Sequence, residues 1–382
     1  MTDPWATPER VALRALARDI VAREVAPGIA GWEREGLLPR SLHRTFAGAG
    51  LLGLGFPEEA GGSGGDSVDM AIVTEEILLG GGSTGLVASL FTHGIAVPHI
   101  AKYGSADLVD RYVRPTLAGE LIGALAVTEP DGGSDVAGLR TTAVRAGDHY
   151  VVNGAKTYIT SGVRADFVTT AVRTGGPGHG GISLLVIDKG TPGFSVAGPL
   201  DKMGWRCSDT AELAFSDVRV PVGNLVGASE GEGFVQIMLQ FQSERLSMAV
   251  QAYATAQRCL DLTLAWVKER QTFGKPLAAR QVVRHKLAEM ARQTDVARRY
   301  TRAAYDVWLA GESDAVMEVS MAKNTACAAC DFVADQAVQL FGGLGYMRES
   351  EVERHYRDAR ILRIGGGTDE IMNEVIAKRL GL

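Results

Sequence analysis

Cysteine and histidine are scarce in this chain, and long apolar runs are absent. Of its 382 residues only four are cysteine and seven histidine. Cys207, Cys259, Cys327 and Cys330 make no disulfide framework. Cys327 and Cys330 do form a CxxC, the spacing of a redox pair or half a metal site. They lie in KNTACAACDFVADQAVQL, an alanine-rich run of helical pattern without a second CxxC or a nearby histidine pair, so core thiols are expected. The histidines show no metal-ligand spacing, and none partners a serine or cysteine nucleophile; no metal is expected. No apolar stretch reaches the roughly 18 residues that a membrane span needs. Basic charge is not in excess: the net charge of −6 argues against general nucleic-acid affinity. A local basic pocket for an anionic cofactor stays open. The N-terminus, MTDPWATPERVALRALARDI, has early acids and no apolar signal core, and a cytoplasmic protein is expected.

What is present changes period twice. Residues 1–120 space apolar side chains at three and four, as in VALRALARDIVAREVAP and DMAIVTEEILLGG, with breaks such as GFPEEAGGSGGDS. Residues 121–230 alternate at two, with Gly147-Asp148 and Asn153-Gly154 as turn signals, and read as an antiparallel β domain. Residues 231–382 are helical again, in long amphipathic segments that predict a bundle. The fold class expected is therefore mostly α with a central β domain.

Six short stretches carry candidate chemistry. Gly48-Ala-Gly50-Leu-Leu-Gly53 matches GxGxxG, but SLHRTFA before it reads as helix and no βαβ unit follows; a helix-ending turn is expected. LAVTEPDGGSD (125–135) offers hydroxyls at Thr128 and Ser134 and close backbone approach at Gly132 and Gly133, or is a plain turn. In KERQTFGKPL, Arg270 either clamps a pyrophosphate or is a solvated helix end. QLFGGLGYM (339–347) exposes backbone to a ligand or is a glycine C-cap. In RIGGGTDEIM (363–372), capping accounts for Thr368 and Asp369 but not for three glycines. In FQSERLSMAV, Glu244 lies on a mostly apolar helix, where a carboxylate is costly unless paired with Arg245, solvated, or functional.

Together these segments resemble the acyl-CoA dehydrogenase family. LAVTEPDGGSDVAGL, NGAKTYITSG, KMGWRCSDTAELAFSDVRVP, ERQTFGKPL, LAEMA, QLFGGLGYM, RDARI and GGGTDEIM follow in the family's order over nearly the whole chain. The resemblance implies an N-terminal helical domain, a β domain, a C-terminal four-helix domain, and FAD. It places Leu125, Val127, Thr128 and Ser134 at the flavin, Ser134 also near the pantetheine arm of the substrate. Tyr158, Ile159 and Thr160 would cover the ring, with Tyr where the family often has Trp. Arg270, Phe273, Gln281, Gln339, Leu340, Gly342 and Gly343 would reach the FAD of a neighbouring subunit, which implies a homo-oligomer, usually a tetramer. Thr368 and Glu370 would contact the flavin from the last helix, and Arg245 and Gly366 would face the substrate.

Much of the family carries its catalytic base as Glu in Tyr-Glu-Gly-Thr; aligned on Thr368, that place is Gly366. Isovaleryl-type and long-chain-type members place the base on an earlier helix, in a segment ending Glu-Arg-Leu. Here Ser243-Glu244-Arg245-Leu246 stands at that point, so the resemblance implies that Glu244 is the base. The implied reaction is α,β-dehydrogenation of an acyl thioester, with the Gly366 N–H as a donor to the thioester carbonyl and an electron-transfer flavoprotein as acceptor. Glycine at 366 also suggests extra room for a longer or branched acyl chain. The chain departs from relatives at Gln242, often Asp, which keeps an acyl-carrier-protein thioester open beside acyl-CoA. An acyl-CoA oxidase or flavin monooxygenase of the same fold is the rival enzyme.

Overall fold

A computed structural model describes residues 3–382. The first third is helical: α1 (Pro8–Ile20), α2 (Ile29–Glu35), α3 (Arg40–Gly48), α4 (Ser67–Leu79), α5 (Thr84–Leu90), α6 (His93–Ala96), α7 (Pro98–Tyr103), α8 (Ala106–Leu108) and α9 (Arg114–Leu117). α3 stops at Gly48 and the chain turns through Gly50 at φ +75°, so GxGxxG here is a helix end. α4 starts at a reciprocal capping box between Asp66 and Asp69 and buries Glu75 and Glu76, which take the guanidinium groups of Arg14 and Arg302.

The middle third is one sheet: β1 (Gly123–Ala126), β2 (Thr142–Ala146), β3 (His149–Thr160), β4 (Phe167–Arg173), β5 (Ile182–Asp188), β6 (Phe194–Val196), β7 (Thr210–Pro221) and β8 (Leu225–Val226). The strand order is β6-β7-β3-β2-β4-β5-β8, with β1 beside β4. Pairing is mainly antiparallel, as the period of two suggests, but β1 and β2 each meet β4 in parallel. β1 is the first strand after the helices, and α6 covers its start: a Cβ on Gly123 would meet Ala96 Cβ at 3.1 Å. It therefore ends the run from the helical layer into the sheet.

The last third is α10 (Gly233–Glu269), a small hairpin of β9 (Gln271–Thr272) and β10 (Lys275–Pro276), α11 (Gln281–Leu309), α12 (Ala315–Phe341), α13 (Glu351–Ala359) and α14 (Asp369–Arg379). α10, α11 and α12 pack on one another, and α4 joins α10. Cys327 and Cys330 are buried in α12, where lost hydration holds both thiols protonated, and no disulfide joins them. Among the described residues no helix is long and apolar enough to cross a membrane.

The three parts meet at the loop 201–209. Trp205 N–H donates to Asp358 Oδ1 at 2.6 Å, Trp205 Nε1 to Thr84 Oγ1 at 2.8 Å, and Cys207 N–H to Glu33 Oε1 at 3.2 Å. Asp358 is fully buried, and burial with the nearby Glu33 charge raises its carboxyl to about 6. A raised acid is easier to protonate in the folded state. Its charging therefore costs stability as pH rises from the unfolded range through about 6, and the cost vanishes below it. Asp358→Asn keeps an acceptor for Trp205. At about pH 8 it should stabilise the fold by up to about 3 kcal/mol, at ~1.4 kcal/mol per pKa unit. Near pH 4 the gain should disappear, as thermal denaturation at the two pH values would show.

Candidate active site

Glu244 lies in α10 with the sequence of a buried helix around it. It is half-buried, and its carboxylate makes no hydrogen bond or ion pair with any described residue. Burial pushes this carboxyl above its ordinary range, and the charges of Arg245 and Lys323 pull it partly back. The bland alternative, a Glu244–Arg245 pair, is not what the structure shows. Arg245 turns away and donates from Nε to the Gly366 carbonyl at 2.9 Å.

That carbonyl belongs to the triple-glycine turn. Gly366 has φ +63° and Gly367 φ +102°, backbone that side chains rarely adopt. A Cβ at 366 would lie 2.8 Å from Met248 Sδ and 3.7 Å from Glu244 Oε1; one at 367 would lie 2.7 Å from Met372 Cε. Two of the glycines are thus required. At Gly365 a Cβ would meet Met248 Cε at 3.4 Å, ordinary contact, and nothing demands glycine there. The space beside Gly366 is filled by Met248, which overturns the idea that glycine opens room at that point.

The turn is fixed from the carbonyl side. Lys323, Cys327 and Asp331 recur at four along one face of α12. Lys323 Nζ donates to Gly367 O at 2.6 Å, Cys327 Sγ to Leu362 O at 3.4 Å, and Asp331 accepts from Arg363 at 3.1 Å. Thr368 caps α14 by accepting from Ile371 N–H at 3.3 Å, and Glu370 is exposed in its first turn. The Gly366 and Gly367 N–H groups find no acceptor among the described residues.

The strand residues lie in the sheet beside this turn's end of α10. Val127 and Phe241 pack against one buried cluster, which joins the end of β1 to α10. Leu125 and Val127 are half-buried, Thr128 likewise, and Ser134 is exposed in the loop beyond. The Thr128 carbonyl accepts from Thr157 N–H at 3.0 Å. Two residues without an assigned role hold this loop. Lys156, fully buried, donates to Glu129 Oε1 at 2.8 Å and to Val127 O at 3.0 Å. Glu129 also takes Arg140 N–H and Thr141 N–H. Burial drives Lys156 down to about 8 against the attraction of Glu129. Burial works on Glu129 in the opposite sense, but Lys156 and the donors outweigh it and hold it below the usual range. The pair is ionised at neutral pH. Both residues stand in the quoted motifs; their signal was an acid and a lysine in strand ends of a buried pattern.

Tyr158 sits where the β3–β7 register shifts, at φ +59°, and is 70 % exposed. The bulge throws its ring off the sheet. Ile159 is buried in the sheet core, with its carbonyl accepting from Gly162 N–H at 3.0 Å, and Thr160 is half-buried.

A second group lies at the far end of α10. Trp266 Nε1 donates to Leu340 O at 3.1 Å, the Trp266 and Phe341 rings stack at 5.0 Å, and Arg270 lies over Trp266. Phe273 is 97 % exposed, and Gln281, Gln339, Gly342 and Gly343 are exposed as well. Trp266 is twenty-two residues from Glu244 on one helix, about 33 Å at 1.5 Å per residue. The two groups cannot hold neighbouring atoms of one ligand within a single chain.

A lone carboxylate beside unpaired N–H groups, in a helix–sheet–helix frame, is an arrangement suited to taking a proton from a substrate whose developing charge the N–H groups stabilise. The chain's relatives agree. Family models for the N-terminal, middle and C-terminal domains of acyl-CoA dehydrogenase match residues 7–120, 124–218 and 231–381. The rat mitochondrial long-chain specific acyl-CoA dehydrogenase is 38% identical over 96% of this chain and 85% of its own. A probable acyl-CoA dehydrogenase from Mycobacterium abscessus is 71% identical, with a TM-score of 0.97 over 99% of this chain and 100% of its own. Butyryl-CoA dehydrogenase from Megasphaera elsdenii is 32% identical, with a TM-score of 0.93 over all of both chains. Less similar structures include an FAD complex of PigA, 28% identical, and the prolyl acyl carrier protein oxidase AnaB, 27% identical. The chain belongs to the acyl-CoA dehydrogenase family, whose reaction is the FAD-dependent dehydrogenation of acyl-CoA.

Proposed function

We propose that this chain removes hydrogen from Cα and Cβ of an acyl-CoA thioester, with Glu244 taking the α-proton. The observation that carries the reading is the unpaired, half-buried Glu244 carboxylate next to the Gly366 turn. An α-proton is weakly acidic. Burial makes the carboxylate a stronger base, and an N–H donor at Gly366 would stabilise charge on the thioester oxygen. FAD, when bound, supplies the acceptor for the hydrogen that leaves Cβ.

The residues present suit that cofactor. Tyr158 projects a ring off the sheet, and Phe273 and the Gly342–Gly343 turn stand exposed at the surface. Leu125, Val127, Thr128, Ser134, the 158–160 strand, Thr368 and Glu370 would hold the ring end. Arg270, Phe273, Gln281, Gln339, Leu340, Gly342 and Gly343 of another subunit would hold the nucleotide end, since about 33 Å of helix separates the groups. A homotetramer follows as part of the proposal, and flavin retention should then fall on dilution together with the oligomer. Sedimentation monitored at the flavin absorbance would test this; flavin kept by a monomer would contradict it.

Gln242 favours a second reading. Its Nε2 donates to Met238 O at 3.2 Å and its side chain is buried, so no carboxylate is offered to a CoA group at this place. An acyl-carrier-protein thioester is that second substrate. Anaerobic bleaching of the holoenzyme by a panel of acyl-CoAs, and by the same acyl groups on carrier protein, separates the two. Bleaching by neither would sink the proposal. Rapid oxygen consumption would mark an oxidase in place of a dehydrogenase that passes electrons to an electron-transfer flavoprotein.

A further inference from the structure

Lys323 is 0 % exposed, in the middle of α12, and no carboxylate lies within ion-pair distance of it among the described residues. Burying an ammonium costs several kcal/mol unless something specific offsets it. Its protein hydrogen bond goes to the Gly367 carbonyl, 2.6 Å away. A neutral donor would serve a carbonyl as well, so the hydrogen bond alone does not account for the charge.

The surroundings do. Arg245 holds the Gly366 carbonyl and Lys323 the next one. Peptide planarity then fixes the opposite edges of the same planes, the N–H groups of Gly367 and Thr368. Two successive planes of a turn with positive φ are thereby pinned beside Glu244, whose Oε1 lies 3.7 Å from where a Cβ of Gly366 would be. Glu244 itself pairs with neither cation. The charged groups that act on Glu244 are Arg245 on its own helix and Lys323 from α12; Lys323 in turn faces Cys327 on α12 and Asp369 at the start of α14, whose carboxylate is taken by Arg363. Lys323 is thus the one cation that reaches the base from another helix among these groups.

We infer that Lys323 is a positioning residue for proton abstraction: it ties down the Gly367 carbonyl and sets a buried positive charge opposite Glu244, so that the base stays ionised in an environment that would otherwise neutralise it. This rests on the proposed function. The sign is fixed by electrostatics. Without the charge, Glu244 binds its proton more tightly, and activity that needs the carboxylate is lost at a higher pH.

The test compares Lys323→Gln, which keeps a donor but no charge, with Lys323→Arg, which keeps the charge. Both holoenzymes are first checked for flavin content and melting temperature. The pH dependence of flavin reduction by an acyl-CoA is then measured. K323Q should move the acidic limb up by about one unit, so that the rate on the acidic side of the native limb falls about tenfold while the high-pH plateau changes little; one pKa unit is a factor of ten. K323R should leave the limb near the native position. An unmoved limb in K323Q, or an equal shift in both, would overturn the inference. Infrared titration of the Glu244 carboxyl, assigned by difference against Glu244→Gln, needs no substrate. It therefore reports on Lys323 even if no thioester reduces the flavin, an outcome that would strike the proposed function alone. Should K323Q not fold, the same titration on K323R against the native protein still decides: a limb displaced with the charge retained contradicts the charge role.

Discussion

Glu244→Gln should stop flavin reduction by acyl thioesters while leaving the protein folded and yellow. The amide is isosteric with the carboxylate but cannot accept the α-proton. General bases contribute about 10²–10⁴ in rate, and the loss here should sit at the upper end, because Glu244 has no partner to take over its role. Flavin content and thioester affinity should change by less than about threefold, since the side chain makes no protein hydrogen bond to lose. The native enzyme should also lose activity on acidification at a pH above the usual glutamate range. Its base works only when ionised, and burial has raised its pKa. Stopped-flow reduction across pH measures both effects. A variant that bleaches at the native rate would make Glu244 structural and return the question to the glycine turn.

The second large effect is expected at Gly366. Alanine there must adopt φ +63° and bring a Cβ against Met248 Sδ at 2.8 Å. Left-handed backbone costs a non-glycine residue roughly 1–2 kcal/mol, and overpacking adds about 1–3 kcal/mol. Gly366→Ala should therefore lose about 2–5 kcal/mol of stability by these terms. Displacing Glu244 Oε1 and the turn should also slow flavin reduction by about tenfold, the equivalent of ~1.4 kcal/mol. A double-mutant cycle with Met248→Ala separates the terms. The alanine at 366 should cost less where Met248 is already truncated, leaving the backbone term. Full additivity would mean that Met248 does not press on this position. Gly365→Ala provides the contrast, with a small effect expected from its ordinary 3.4 Å contact.

The changes of period in the sequence were enough to lay out helices, then a sheet, then helices, because amphipathic spacing is a local property. The parallel joins of β1 and β2 to β4 were not legible, since a strand's own alternation does not name its neighbour. α13 gives a weak apolar signal of its own: half of SEVERHYRDA is charged, and its buried face rests on Val352, His355, Asp358 and Ala359. At the candidate site, motif order pointed to Glu244 and the glycine turn, and the fold brings the two together. The residues that hold them were hidden. Lys323 and Lys156 look like ordinary solvated lysines in sequence, and only the packing of α12 and β3 shows both fully enclosed. Nor did three consecutive glycines say which of them the backbone needs; φ at 366 and 367 does. The separation between the Glu244 end and the Trp266 end of α10 follows from helix length alone once α10 is seen to run unbroken from Gly233 to Glu269.

The central claim is that the Glu244 carboxylate removes the α-proton. Wash-in of solvent deuterium at Cα tests it directly, using the holoenzyme under anaerobic conditions with an acyl-CoA that reduces the flavin. The native protein should place deuterium at Cα of the recovered thioester, and Glu244→Gln should place none above the rate in buffer. Equal wash-in by the two proteins would show that another group takes the proton.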